Sequence, residues 1–66
     1  MEIYIVTGIK KIKSKYAKAV IKRERLEAIT WKDAAKKFMD KWPKYELFSI
    51  QAKSLYPYPI LFKVEG

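Results

Sequence analysis

The sequence predicts an α+β domain in the order β-β-α-β-β, in which one amphipathic helix packs on one face of an antiparallel sheet. Three observations lead to this prediction. Residues 30–43 place apolar side chains at the spacing of a single helix face. Two segments with strand-like composition precede the helix, and two more follow it. A chain of 66 residues is enough for one domain, which we expect to span residues 1–66.

The helix has clear start and stop signals. Thr30 can cap it by accepting a hydrogen bond from a first-turn N–H, and Asp33 suits the positive end of the helix dipole. Pro43 ends it, because proline lacks an N–H and disfavours helical geometry at Trp42. The apolar stripe that we expect to pack on the sheet consists of Trp31, Ala34, Ala35, Phe38, Met39 and Trp42.

The first two strands are expected to form a hairpin around a turn at residues 13–15. Residues 2–12 are rich in β-branched side chains, and Gly8 among them indicates a bulge or a close backbone approach. Residues 16–25 are ambiguous, because their Ala, Lys, Arg and Glu content also suits a helix capped by Ser14. We favour a strand, since the Tyr and β-branched residues in this segment prefer sheets.

Two further strands are predicted after the helix, at residues 45–52 and 60–64. Residues 53–59 between them contain two prolines and form a turn. The connection from the second strand through the helix to the third should be a crossover, whereas the strand order does not follow from the sequence.

A hairpin register also predicts which side chains meet the helix. We consider the register in which the numbers of two paired residues sum to 28. In this register the odd-numbered residues share one face, and their apolar content matches that of the helix stripe. The residues expected to face the helix are Ile3, Ile5, Ile9, Ala17, Ala19 and Ile21, with Phe48, Ile50, Ile60, Phe62 and Val64 of the last two strands. The open face would carry Tyr4, Val6, Lys10, Ile12, Tyr16, Lys18, Val20, Lys22 and Glu24, with Tyr45, Leu47, Gln51, Lys53 and Lys63.

The charge is strongly positive, with 15 basic and seven acidic residues and a net charge of +8. Most of the basic residues are Lys, a flexible point charge that suits phosphates better than base edges. The composition therefore favours salt-sensitive binding of nucleic acid without strong sequence specificity, with bases stacked on Tyr and Lys along the phosphates. The predicted nucleic-acid-binding residues are Lys10, Lys11, Lys13, Lys15, Tyr16, Lys18, Lys22, Arg23, Arg25 and Tyr4.

Other functions fit the same open face. Its apolar residues, among them Val6, Val20 and Leu47, would also suit a protein partner or a homodimer. A basic arm could dock on an anionic membrane surface, although no lipid-anchoring signal accompanies it. Lys on an exposed sheet can also serve only to keep a small protein soluble and its edges unpaired.

The sequence argues against an enzyme. It contains no Cys and no His, which removes disulfides, thiolate and imidazole catalysis and the usual zinc ligands. The serines have no His to activate them, and two glycines cannot form a Gly-rich phosphate loop. We therefore expect no cofactor and no metal. Without a signal peptide or an apolar run of about 20 residues, a cytoplasmic protein without a transmembrane segment is expected.

The segments TWKDAAKKF, WPKYE and LFSI, together with the charged strand before them, resemble short phage- or prophage-encoded proteins. The resemblance covers about residues 16–50 and implies a sheet-plus-helix fold. It also implies a viral accessory role, such as binding host machinery or nucleic acid, and it carries over no functional residues.

Overall fold

The computed structural model describes residues 1–10 and 20–63, which form a four-stranded antiparallel sheet and one helix in the predicted order β-β-α-β-β. Residues 20–25, for which a strand was favoured over a helix, lie in a strand that continues to Ala28. The predicted turn at 13–15 lies outside the described residues. The elements are β1 (Glu2–Lys10), β2 (Val20–Ala28), α1 (Trp31–Lys41), β3 (Glu46–Gln51), a 3-10 turn (Lys53–Leu55) and β4 (Ile60–Leu61).

The sheet has the strand order β2-β1-β3-β4, and each neighbouring pair is antiparallel. Because β2 and β3 both flank β1, the chain between them crosses over the sheet, and α1 lies in that connection. The predicted crossover is therefore confirmed. Strand β1 is central in this arrangement, so its side chains contribute to both faces of the sheet.

Helix α1 begins and ends where the sequence predicts. The Asp33 N–H donates a hydrogen bond to the Thr30 hydroxyl at 3.2 Å, and Trp42 is the C-cap residue immediately before Pro43. Asp33 and Lys37 form an ion pair at 3.7 Å. The predicted stripe packs on the sheet: Ala34, Ala35 and Phe38 are buried, and Trp31, Met39 and Trp42 pack against them partly buried.

The prediction of which hairpin face meets the helix is wrong. Tyr4 and Val6 are buried in the core beneath the helix, whereas Ile3 and Ile21 are 46% and 64% exposed on the opposite face. The register also differs, since Val6 pairs with Glu24 and paired residue numbers sum to 30. A register shift of two positions keeps each side chain on the same face of the sheet. The reversal of the face that meets the helix therefore has a separate cause.

That cause is the space required by the helix aromatics. Gly8 lies on the even-numbered face, and a Cβ built on it would lie 2.5 Å from Cζ of Phe38. The Phe38 ring therefore occupies the volume that a side chain at position 8 would fill. On the odd-numbered face, positions 3, 5 and 9 all carry isoleucine side chains.

A bulge in β3 changes the facing of that strand as well. Thr7 pairs with Ser49 and Gly8 pairs with Leu47, so Phe48 is an extra residue without a partner on β1. This confirms the irregularity indicated by Gly8. Leu47 therefore lies on the helix side and not on the open face as expected, and Phe48 is 44% exposed and not part of the core.

The start of β1 is tied to the segment that leads into β4. Both carboxylate oxygens of Glu2 accept hydrogen bonds from Ser54, one from its backbone N–H and one from its hydroxyl, each at 2.8 Å. The peptide bond between Tyr56 and Pro57 is cis. Strand β4 is shorter than predicted among the described residues, with two residues paired to β3.

Candidate nucleic-acid interface

The fold separates the predicted nucleic-acid-binding residues. Lys10 and Lys22 lie on the helix side of the hairpin, at the end of the sheet where α1 finishes. Arg23 and Arg25 are exposed on the opposite face, paired with Thr7 and Ile5. Five other predicted residues lie outside the described part of the chain: Lys11, Lys13, Lys15, Tyr16 and Lys18.

Tyr4 is not available for stacking on a base. Its side chain belongs to the core and is 5% exposed, because even-numbered β1 residues face the helix. Burial raises the pKa of the Tyr4 phenol, and the negative charge of Glu2 raises it further. Its assignment to the nucleic-acid-binding surface is therefore wrong.

A compact group of basic and aromatic side chains forms where α1 ends beside the hairpin. The Lys22 ammonium lies 3.7 Å from the centroid of the Trp42 ring, within the range of a cation–π contact. The Lys41 ammonium lies 5.6 Å from the same centroid. The indole of Trp42 therefore holds two lysines from different elements close to one another.

Two more lysines line a cavity beside the same rings. A cavity of about 290 Å³ is lined by Trp42, Pro43 and Tyr45 together with Lys10 and Lys44. Lys10 is the last residue of β1, and Lys44 lies in the turn between α1 and β3. We call this group the basic–aromatic end; it consists of Lys10, Lys22, Lys41, Trp42, Lys44 and Tyr45.

Local backbone geometry places the two aromatic rings. Trp42 caps α1 with its N–H bonded to the Phe38 carbonyl at 2.8 Å, and the Tyr45 N–H donates to the Trp42 carbonyl at 3.1 Å. This short turn brings the two rings edge to face, with centroids 6.1 Å apart and an interplanar angle of 79°. Tyr45 also contacts Phe38 edge to face, which anchors the turn on the core.

The lysines of this end differ in their partners. Lys41 forms an ion pair with Glu24 at 3.3 Å. Among the described residues, Lys10, Lys22 and Lys44 form no ion pair with a carboxylate, so their charge is not neutralised by a protein group. The buried Trp42 indole N–H likewise has no hydrogen-bond partner among the described residues.

The sequence predictions assigned Trp42 to the core stripe and Tyr45 to the open sheet face, and the predicted nucleic-acid-binding residues did not include Lys41, Lys44 or Tyr45. A signal for them was present, because the five residues KWPKY alternate basic and aromatic side chains around a helix-ending proline. Only the fold shows that this run lies beside Lys10 and Lys22 of the hairpin.

Residues 1–10 and 20–63 show no metal-ligand cluster and no membrane-spanning helix. In that part of the chain, no group of three or more Asp, Glu, His or Cys residues is placed to hold a metal ion. None of its helices is both long and apolar enough to cross a membrane. Comparisons with protein-family models, with curated proteins and with solved structures found no match to this chain.

Proposed function

We propose that this domain binds nucleic acid through the phosphate backbone, at the basic–aromatic end. The observation that carries the proposal is the convergence of four lysines, from β1, β2, α1 and the turn before β3, on the ring pair Trp42 and Tyr45. Lys residues gathered from four elements make a local positive potential that none of these elements would make alone.

The arrangement favours phosphates over bases as the contacted groups. Lys22 covers a face of the Trp42 ring at 3.7 Å, so this face is occupied and not open for stacking on a base. Tyr45 contacts its aromatic neighbours edge to face and is partly buried. The lysine ammonium groups carry three N–H donors each and suit phosphate oxygens. Binding should therefore depend little on sequence.

The sequence that follows Lys10 is also basic. Lys10 precedes the segment 11–19, whose sequence contains Lys11, Lys13, Lys15 and Lys18 and no acidic residue. These residues follow Lys10 directly in the chain and were predicted to bind nucleic acid. We include them in the proposed interface on their sequence position.

The salt dependence of binding tests the mechanism. If Lys10, Lys22 and Lys44 neutralise three phosphates of a duplex, affinity should fall roughly 40-fold between about 50 and 200 mM salt. Fluorescence anisotropy with labelled single-stranded and double-stranded oligonucleotides of two unrelated sequences measures this directly. Absence of binding at the lower salt concentration would refute the proposal, and binding that salt does not weaken would refute its electrostatic mechanism.

A pair of matched variants locates the interface. Lys10→Gln with Lys44→Gln removes two charges from the basic–aromatic end, whereas Lys32→Gln with Lys36→Gln removes two from the exposed face of α1. We expect the first pair to weaken binding more strongly and to reduce the salt slope by about two phosphate contacts. Equal effects of the two pairs would show that net charge alone attracts the nucleic acid.

A further inference from the structure

A second concave surface lies on the sheet face opposite the helix, at the other end of β1. Its volume is about 730 Å³. Ile3 and Ile5 of β1 form its floor, with Arg25 and Gln51 paired on either side of Ile5. The segment after β3 forms its wall, with the side chains of Tyr56 and Pro57. We call it the Ile3–Pro57 groove.

The groove combines apolar lining with positively charged side chains. Arg25 is exposed, and it forms no ion pair within the described residues. Lys53 also lines the groove. Glu2 lines it as well, but both of its carboxylate oxygens accept hydrogen bonds from Ser54. The positive groups that face a ligand are therefore Arg25 and Lys53, and of the two the planar Arg25 guanidinium matches a carboxylate in a forked pair.

The apolar surface continues beyond the groove. On the same sheet face, Leu61 is 71% exposed, and the wall adds Tyr56, which is 85% exposed. A small molecule would fill the groove and leave these side chains in water, whereas a macromolecule would cover them. Exposed apolar side chains next to a concave site are typical of protein-interaction surfaces.

We propose that the Ile3–Pro57 groove binds a short peptide segment of a protein partner, in which apolar residues alternate with acidic ones. The apolar side chains would lie on Ile3 and Ile5, and a carboxylate would pair with Arg25. Glu27 pairs with Ile3 and is exposed on the same face. Because like charges repel, the acidic residue of the peptide should lie near Arg25 and not near Glu27.

Charge argues against a second copy of the chain as the occupant. Each copy carries a net charge of +8, and Arg23 and Arg25 project from the face that would be buried. The aliphatic floor argues against nucleic acid, because Ile3 and Ile5 offer no donor to a phosphate. Ile5, the floor residue nearer to Lys10, lies five residues from it along β1, which is about 17 Å. The two proposals can therefore fail separately.

The test uses three fluorescein-labelled octapeptides, in which Leu alternates with Asp, Ser with Asp, and Leu with Lys. The first two carry the same charge, so the difference between them reports the apolar contacts. We expect the Leu–Asp peptide to bind about tenfold or more tightly than the Ser–Asp peptide and the Leu–Lys peptide not to bind. Equal affinity of the Leu–Asp and Ser–Asp peptides would overturn the proposal.

Two variants distinguish binding at the groove from attraction to the overall positive charge of the protein. Arg25→Gln should weaken the Leu–Asp peptide about tenfold, because it removes a charge-assisted hydrogen bond. Lys36→Gln removes the same charge from the outer face of α1 and should change the affinity less than about twofold. Equal effects of the two substitutions would show attraction to the whole protein and overturn the site.

Amide chemical-shift mapping on the unmodified protein provides a readout that needs no variant. Shifts caused by the Leu–Asp peptide should centre on Ile3, Ile5, Arg25 and Tyr56, and not on Trp42. Shifts centred elsewhere would contradict the proposal. Displacement of the peptide from these residues by a single-stranded oligonucleotide would also contradict it, because nucleic acid would then be the occupant. A dimer in light scattering that the peptide dissociates would contradict it too, because the occupant would then be a second copy of the chain.

Discussion

The ring of Phe38 occupies the space beside Gly8 in which any other residue would place a side chain. A Cβ built on Gly8 would lie 2.5 Å from Phe38 Cζ, 2.6 Å from Phe38 Cε1 and 3.2 Å from Tyr45 Cβ. Gly8 also stands at the point where the register between β1 and β3 shifts. One glycine therefore allows both the close packing of α1 on the sheet and the bulge in β3.

Gly8→Ala should destabilise the domain by about 1–3 kcal/mol, because the added methyl group overlaps a buried ring. The sign is informative, since Gly→Ala at an unstrained position stabilises by about 0.4–1 kcal/mol through the unfolded state. Urea denaturation followed by circular dichroism measures the free energy of unfolding. In a double variant that also carries Phe38→Leu, the smaller side chain should leave room for the added methyl group. The loss of stability should then be smaller than the sum of the losses in the two single variants. A Gly8→Ala variant as stable as the parent would contradict this packing.

The helix was fully predictable from sequence because its signals are local. Thr30, Asp33 and Pro43 act on atoms within one turn of themselves, and the charged residues between the apolar ones leave a single face that can be buried. The order of elements follows from the same kind of local signal. The strand order required contacts between distant segments, which no short-range pattern contains.

The facing of the hairpin was predicted wrongly because β1 is apolar on both sides. Ile3 and Ile5 alternate with Tyr4 and Val6, so a period of two does not distinguish the core face from the open face. The information was in the end of β2, where buried Ala28 shares a face with Leu26 while Arg23, Arg25 and Glu27 share the other. The predicted strand ended at residue 25 and omitted those two apolar residues.

The candidate interface was partly predictable for a related reason. Lys10 and Lys22 were identified from charge density, but their neighbours Lys44 and Tyr45 come from a segment more than 20 residues further along the chain. Tyr4 was assigned to the open face only because the hairpin faces were inverted. A surface built from four elements is visible once the crossover brings the end of α1 beside the hairpin.

Phe38→Ala should cost about 3–5 kcal/mol of stability, because the ring is fully buried between α1 and the sheet. For a domain of this size, such a loss is comparable with the whole free energy of unfolding. Lys36→Ala is the matched control on the exposed side of the same helix and should change stability by less than about 0.5 kcal/mol. If Phe38→Ala left folding intact, the helix stripe would not be the core of this domain.

The bulge in β3 predicts which of two neighbouring alanine substitutions lowers the stability more. Leu47 packs against the core whereas Phe48 is 44% exposed, so Leu47→Ala should destabilise by about 1 kcal/mol more than Phe48→Ala. A strand without the bulge would give the opposite order, because the larger side chain would be the buried one. Denaturation of the two variants under identical conditions decides between the two registers.

Glu2 predicts a dependence of stability on acid pH. Hydrogen bonds from Ser54 hold the pKa of the Glu2 carboxyl below its ordinary value of 4.5. The bond from the Ser54 backbone N–H has the larger effect, and the bond from the Ser54 hydroxyl has the smaller one. The unfolded chain therefore takes up a proton at a higher pH than the folded chain does. The stabilisation is complete above the unfolded pKa and is lost as the pH falls through the lower, folded pKa.

Denaturation midpoints measured from neutral to acid pH should therefore fall below about pH 4.5. Glu2→Gln should lower the midpoint at neutral pH and flatten this part of the profile, because the amide has no proton to gain. Ser54→Ala removes the hydroxyl bond but keeps the backbone one, and its profile should lie between the other two. A Glu2→Gln profile that parallels the parent protein would mean that the Glu2–Ser54 contact does not hold the start of β1 in solution.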